Sequence, residues 1–114
     1  MGVMIEMTGS RSRKTSRGRI FFSRQELRQL LDVYSRRVAR GEWRDYAIDH
    51  DGQAAVFSVF RHSYDSPLFS VSKSSSGKDN SYTVFYGRQK IKQDPSLMNV
   101  LKVFDRLPRL ISTH

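Results

Sequence analysis

The chain predicts an α+β domain of two layers, an antiparallel sheet of about five strands with an N-terminal and a C-terminal helix on one face. Three observations lead there. A capped amphipathic stretch begins near Ser23, a long middle segment alternates with period two, and a second capped stretch begins near Asp94. With 114 residues there is material for one core. The elements are therefore read as a single domain over residues 20–112, behind a tail of residues 1–19.

The tail comes first. From Thr8 to Arg19 it holds Arg11, Arg13, Lys14, Arg17 and Arg19, with no acid and no apolar side chain. Such a stretch cannot bury enough surface to offset its ordering entropy, and disorder is expected. The first helix is announced by Ser23 and Glu26, a capping box in which each side chain satisfies the other's free N–H. Phe22 and Leu27 stand as a hydrophobic staple around it. Leu27, Leu30, Leu31, Tyr34 and Val38 form one buried stripe, while Arg28, Asp32, Arg36 and Arg40 follow one another at i+4 on the opposite face. Gly41 is placed to end the helix in a left-handed conformation.

Period two takes over next. Arg44, Tyr46 and Ile48 alternate with Trp43, Asp45, Ala47 and Asp49, and Asp51-Gly52 supplies a turn. Residues 53–61 are apolar on both sides, as a central strand requires. Residues 63–67 turn, and Leu68 to Lys73 return. Ser74 to Asn80 reads as a flexible loop by composition. Ser81 to Tyr86 and Gln89 to Gln93 make a hairpin around Gly87-Arg88, with glycine at the first position of a type II′ turn. Asp94 is expected to cap the last helix and Pro95 to occupy its first position. Leu97, Val100, Leu101 and Phe104 form its stripe, and Pro108 its end.

Composition narrows the chemistry. Twenty Lys and Arg against eleven Asp and Glu leave a net charge of +9, which attracts polyanions. The charge is segregated: Arg44 and Arg61 are outnumbered by Glu42, Asp45, Asp49, Asp51 and Asp65, whereas the tail, first helix and last hairpin are positive. Cysteine is absent, which excludes disulfides, thiolate metal sites and a thiol nucleophile. No apolar run approaches the ~20 residues of a membrane span. The opening residues are too polar for a secretory signal, so a cytoplasmic protein without membrane contact is expected. Asp49, His50 and Asp51 diverge along a strand and do not make an acid–base or metal cluster. Ser76-Gly77-Lys78 lacks the first glycine, the Ser/Thr and the following helix of a phosphate loop. No catalytic residue, metal site or cofactor is assigned.

The hairpin register sets the surface expectation. Val84 opposite Ile91 and Phe85 opposite Lys90 send Tyr82 and Tyr86 inward. Thr83, Phe85, Lys90 and Lys92 then share the outer face with Ser58, Phe60, Ser70 and Ser72. An aromatic among lysines offers stacking and phosphate charge together, which suits nucleic acid, RNA or single-stranded DNA. The expected contacts are Arg11, Arg13, Lys14, Arg17 and Arg19 of the tail, Arg28, Arg36 and Arg40 of the helix, and Phe85, Arg88, Lys90 and Lys92 of the hairpin. The alternative is a homodimer or a protein partner covering Trp43, Phe60 and Phe85, with Ala54 and Val56 beside them. Glu42, Arg44 and Asp45 around Trp43 suit an ion-pair network at a helix–strand junction.

The segments Gly41-Glu42-Trp43-Arg44-Asp45-Tyr46-Ala47-Ile48-Asp49 and Ala55-Val56-Phe57-Ser58-Val59-Phe60-Arg61, in this order and followed by Pro67-Leu68-Phe69, are distinctive. They resemble a family of short uncharacterised bacterial proteins known as a domain of unknown function, over roughly residues 20–107. The resemblance implies a single bacterial cytoplasmic domain and brings no activity, cofactor or site residue with it.

Overall fold

Ser23 opens the first helix as its spacing requires. In the computed structural model, which describes residues 20–62, 66–76 and 79–105, the Ser23 hydroxyl accepts from the Glu26 N–H at 3.1 Å. The Glu26 carboxylate in turn accepts from the Ser23 N–H at 2.7 Å. Helix α1 covers Arg24–Ala39. It closes on Gly41 at φ 76°, whose N–H donates to the Val38 carbonyl while that of Glu42 reaches the Arg37 carbonyl, both at 2.9 Å. That is a Schellman closure, and a side chain at Gly41 would be strained in it. The tail with Arg11, Arg13, Lys14, Arg17 and Arg19, the pair Gly77-Lys78 and the chain end from residue 106 lie outside the described residues.

Strands β1 (Asp45–Asp51), β2 (Ala54–Phe60), β3 (Phe69–Ser76), β4 (Asp79–Tyr86) and β5 (Gln89–Asp94) form one sheet in that order. Every neighbouring pair is antiparallel, so no crossover connection is needed. Gly52 and Gly87 enter the two tight turns at φ 61° and 59°. Helix α2 (Leu97–Leu101) runs on into a 3₁₀ turn, Lys102–Asp105. The architecture is α+β, a five-stranded antiparallel sheet with two helices, the second of them short.

Three local readings are corrected. Ser74–Ser76 extend β3 rather than forming a loop, pairing with Ser81, Asn80 and Asp79; the adjoining ladder outweighs a composition poor in strand formers. The cap of α2 is Ser96, whose hydroxyl accepts from the Asn99 N–H at 3.3 Å. Asp94 sits two residues earlier and accepts from the Ser96 N–H at 2.8 Å and the Asn99 side chain at 3.1 Å, so Pro95 precedes the helix. Those bonds hold the Asp94 carboxyl below its ordinary pKa. Lastly, a register shift between Val84 and Phe85 sets Val84 against Lys92, although Phe85 still faces Lys90. The extra residue of this bulge is Ile91, which packs on the core.

The core collects on one side of the sheet. Phe57, Val71 and Val84 form one row across three strands, and Val59 and Phe69 the next. They share a buried cluster with Leu30 of α1, Leu97, Val100 and Leu101 of α2, and Phe104. Trp43 belongs to the cluster too. It is 5% exposed, with its ring 6.0 Å from Phe69 and 5.2 Å from Phe104. The expectation that Trp43 meets a partner is therefore corrected, because its ring fills the core beyond the helix closure. Val38 is also displaced from the expected stripe and is exposed. The row that starts at Leu30 continues by i+7 to Arg37, which is buried instead.

Candidate functional site

Among the described residues two charged side chains are buried, Arg37 and Lys73. Arg37 donates to the Glu42 carboxylate at 2.7 Å and to the Phe104 carbonyl, clamping the end of α1 to the 3₁₀ turn. Glu42 thus makes a structural ion pair at this junction, but with Arg37, which lies outside the expected set of Glu42, Arg44 and Asp45. At the other end of α1, Lys73 of β3 donates to Glu26 and to the Phe21 carbonyl, both at 2.8 Å. The Tyr82 hydroxyl donates to the second Glu26 oxygen. Burial pushes the Glu26 carboxyl up, but the bonds from Lys73, Tyr82 and the Ser23 N–H and the charge of Lys73 outweigh it and hold it below its ordinary value. Burial first, then the bond to Glu26 and its charge, push the Tyr82 hydroxyl up to about 12. Both Glu26 oxygens are engaged, so this triad ties α1 to the sheet and holds no spare base.

On the sheet face opposite the core, the register lays out rows of side chains. Ala47, Ser58, Ser70, Phe85 and Lys90 form one; Asp49, Val56, Ser72, Thr83 and Gln93 the next; Asp51, Ala54, Ser74 and Ser81 a third. Asp45 stands with Phe60 at the near end. The face is acidic along β1, small and hydroxylic in the middle, and basic at Lys90. Ser58 and Thr83 are buried in its centre, and Phe60 and Phe85 are half-buried. Phe85 therefore lies on this Ser58 face next to Lys90, as the alternation of β4 requires. Lys92 does not, since the bulge returns it to the side of Val84. His50 is also on the core side, its ring 4.3 Å from that of Phe21, and alternation separates it from Asp49 and Asp51.

The helical arginines lie elsewhere. Arg24, Arg28 and Arg36 are exposed on the half of α1 turned away from Leu30, and Arg40, its C-cap, is exposed at its end. Among the described residues Arg24, Arg28 and Arg40 have no ion-pair partner, and Arg36 pairs at 3.0 Å only with Asp32, equally open to water. An exposed pair of this kind contributes at most about 1 kcal/mol and leaves both charges available. Between α1 and the last helical turn lies a cavity of about 340 Å³, bordered by Arg36, Arg40, Met98 and Lys102. Folding thus separates residues that the sequence grouped into one interface: Phe85 and Lys90 on the sheet, the arginines on the helix. No described helix is long and apolar enough to cross a membrane.

A family model described as a protein of unknown function, DUF2794, matches residues 20–101. No curated protein and no solved structure matches the chain.

Proposed function

Because the chain belongs to the DUF2794 family of proteins of unknown function, no activity comes with membership, and we propose that it is a non-enzymatic nucleic-acid-binding module that meets phosphates through the solvent side of α1. The reading takes the domain as two layers, with both helices on the Phe57 face. What supports that layering is the single core shared by Leu30, Val100, Phe104, Phe57 and Val84. The observation that carries the function is the run of exposed arginines on α1, three of them without an ion-pair partner among the described residues, in a chain of net charge +9. Over its 16 residues α1 spans roughly 24 Å, enough to follow several phosphates. Side chains on such a helix position a backbone without reading bases.

The sheet face is the poorer candidate for this task. Asp45, Asp49 and Asp51 line one edge of it against Lys90 on the other, so a polyanion lying across it meets repulsion over β1. The basic tail would add phosphate contacts from outside the described residues. A cytoplasmic location goes with this reading.

Titration with single-stranded and duplex oligonucleotides at several salt concentrations tests it. Binding should weaken linearly in log salt. The slope should fall by about 1.5 in Arg28→Gln/Arg40→Gln, close to one released counterion for each cation removed, whereas Phe85→Ala should leave it unchanged. Binding that ignores both salt and the two arginines would overturn the proposal.

A further inference from the structure

The Ser58 face carries a pattern that nucleic acid does not use. We propose that a second copy of this chain docks on it face to face, about a two-fold axis running along the strands through β3. The inference goes beyond the nucleic-acid reading and shares with it only the two-layer arrangement, which leaves this face uncovered among the described residues.

Charge selects the axis. Two sheets can stack with their two-fold along the strands or across them. The crosswise axis lays β1 on β1, and Asp49 and Asp51 of one copy then oppose their counterparts. An axis along the strands reverses strand order and keeps the rows, so β5 of one copy lies over β1 of the other. Lys90 shares a row with Ala47, so it comes down between Asp45 and Asp49. At a sheet separation of about 10 Å, these charges are within one Debye length at 0.1 M salt.

The same operation matches large side chains to small ones. With β4 over β2, Phe85 meets Ser58, its row partner two strands away, and this happens twice by symmetry. Phe60, one row towards the Gly87 turn, meets a glycine. Along the axis Ser70, Ser72 and Ser74 face their own copies, and their small size lets the sheets approach. Four strand spacings across and seven residues along give roughly 450 Å² of flat face per copy. Two such faces bury about 900 Å², below the roughly 1,200 Å² at which stable specific interfaces begin and in the range of weak, transient ones. A reversible, salt-weakened dimer is the expected form. Stacked this way, each copy keeps its α1 arginines outward on opposite sides of the pair.

Sedimentation equilibrium of the full chain over a hundredfold concentration range tests this, using Asp49→Lys and Lys90→Glu, both at exposed positions. Each variant alone opposes like charges twice and should raise the dimer dissociation constant at least tenfold. An equimolar mixture restores both attractive contacts in the heterodimer and should recover wild-type association. Thermal melts matching the wild type show that the variants are folded. A wild-type chain that stays monomeric at several hundred micromolar, or two variants that fail to rescue each other on mixing, overturns the proposal. Neither outcome affects the arginine-dependent salt slope, so the two readings fail separately.

Discussion

Trp43→Ala should destabilise the fold by about 3–5 kcal/mol, the ordinary cost of deleting a large aromatic from a packed core. The ring touches three elements at once. It stands beside Tyr34 of α1, Phe69 of β3 and Phe104 of the 3₁₀ turn, and little of it reaches water. Its neighbours are held by the Schellman closure and by Arg37, so the vacated space cannot collapse cheaply. Set against the roughly 5–15 kcal/mol that stabilises a domain of this size, the variant should be largely unfolded or melt tens of degrees lower. Trp43→Phe, which keeps a ring in the slot, should recover more than half of the loss. Urea unfolding followed by circular dichroism measures both. A cost near 1 kcal/mol for the alanine variant would mean that Trp43 lies outside the core, reopening it as a partner contact.

Lys73→Met should cost about 2–3 kcal/mol, and its effect should depend on pH. The substitution keeps the apolar stem but withdraws the ammonium from Glu26 and from the Phe21 carbonyl. A carboxylate left in a mostly buried place loses its strongest partner, and breaking one side of such a pair is the expensive case. Because the Glu26 carboxyl titrates below its ordinary value in the folded chain, its contribution is fully present above the unfolded value of about 4.3 and disappears as pH falls through the folded one. Tyr82 sets the alkaline limit with the opposite sign. Its stabilisation is complete below about 10, the unfolded value, and is lost as pH rises through about 12. Glu26→Gln should therefore differ most from wild type near neutrality and converge with it in acid. Urea midpoints from pH 3 to 8 give the comparison, and a constant difference over that range would contradict the assignment. Glu26→Gln/Lys73→Met should cost less than the sum of the two single changes.

The elements themselves were largely legible in the chain. The capping box, the closure at Gly41, the turns at Gly52 and Gly87 and the stripe from Leu97 to Phe104 each follow from a local rule, and local rules need no knowledge of the partner strand. What could not be read depends on tertiary contact. The spacing of Leu27, Leu30, Leu31 and Tyr34 continues equally well to Val38 and to Arg37, and hydrophobicity favours the valine. Only the Phe104 carbonyl and Glu42, brought together by folding, make the arginine the buried member. Lys73 carried a signal, since it continues the inward alternation of Phe69 and Val71, but its partner Glu26 is 47 residues away. A bulge is likewise silent in a sequence of alternating polar and apolar residues, and it alone moved Lys92 off the Ser58 face. Grouping Phe85, Lys90 and the α1 arginines in one interface failed for a simpler reason. Net charge says how many cations there are and not which side of a sheet they occupy.

On the proposed reading the two faces divide the work: phosphates on the arginine side of α1, a second copy on the Ser58 side. Backbone amide chemical-shift mapping of the full chain, titrated with a short oligonucleotide at low salt, tests it most directly. Perturbations should run along Arg24–Arg40 and disappear in high salt, with Ser58, Ser70, Thr83 and Phe85 unmoved by the oligonucleotide at constant protein concentration. Perturbations centred on Phe85 and Ser70, with α1 silent, would contradict it.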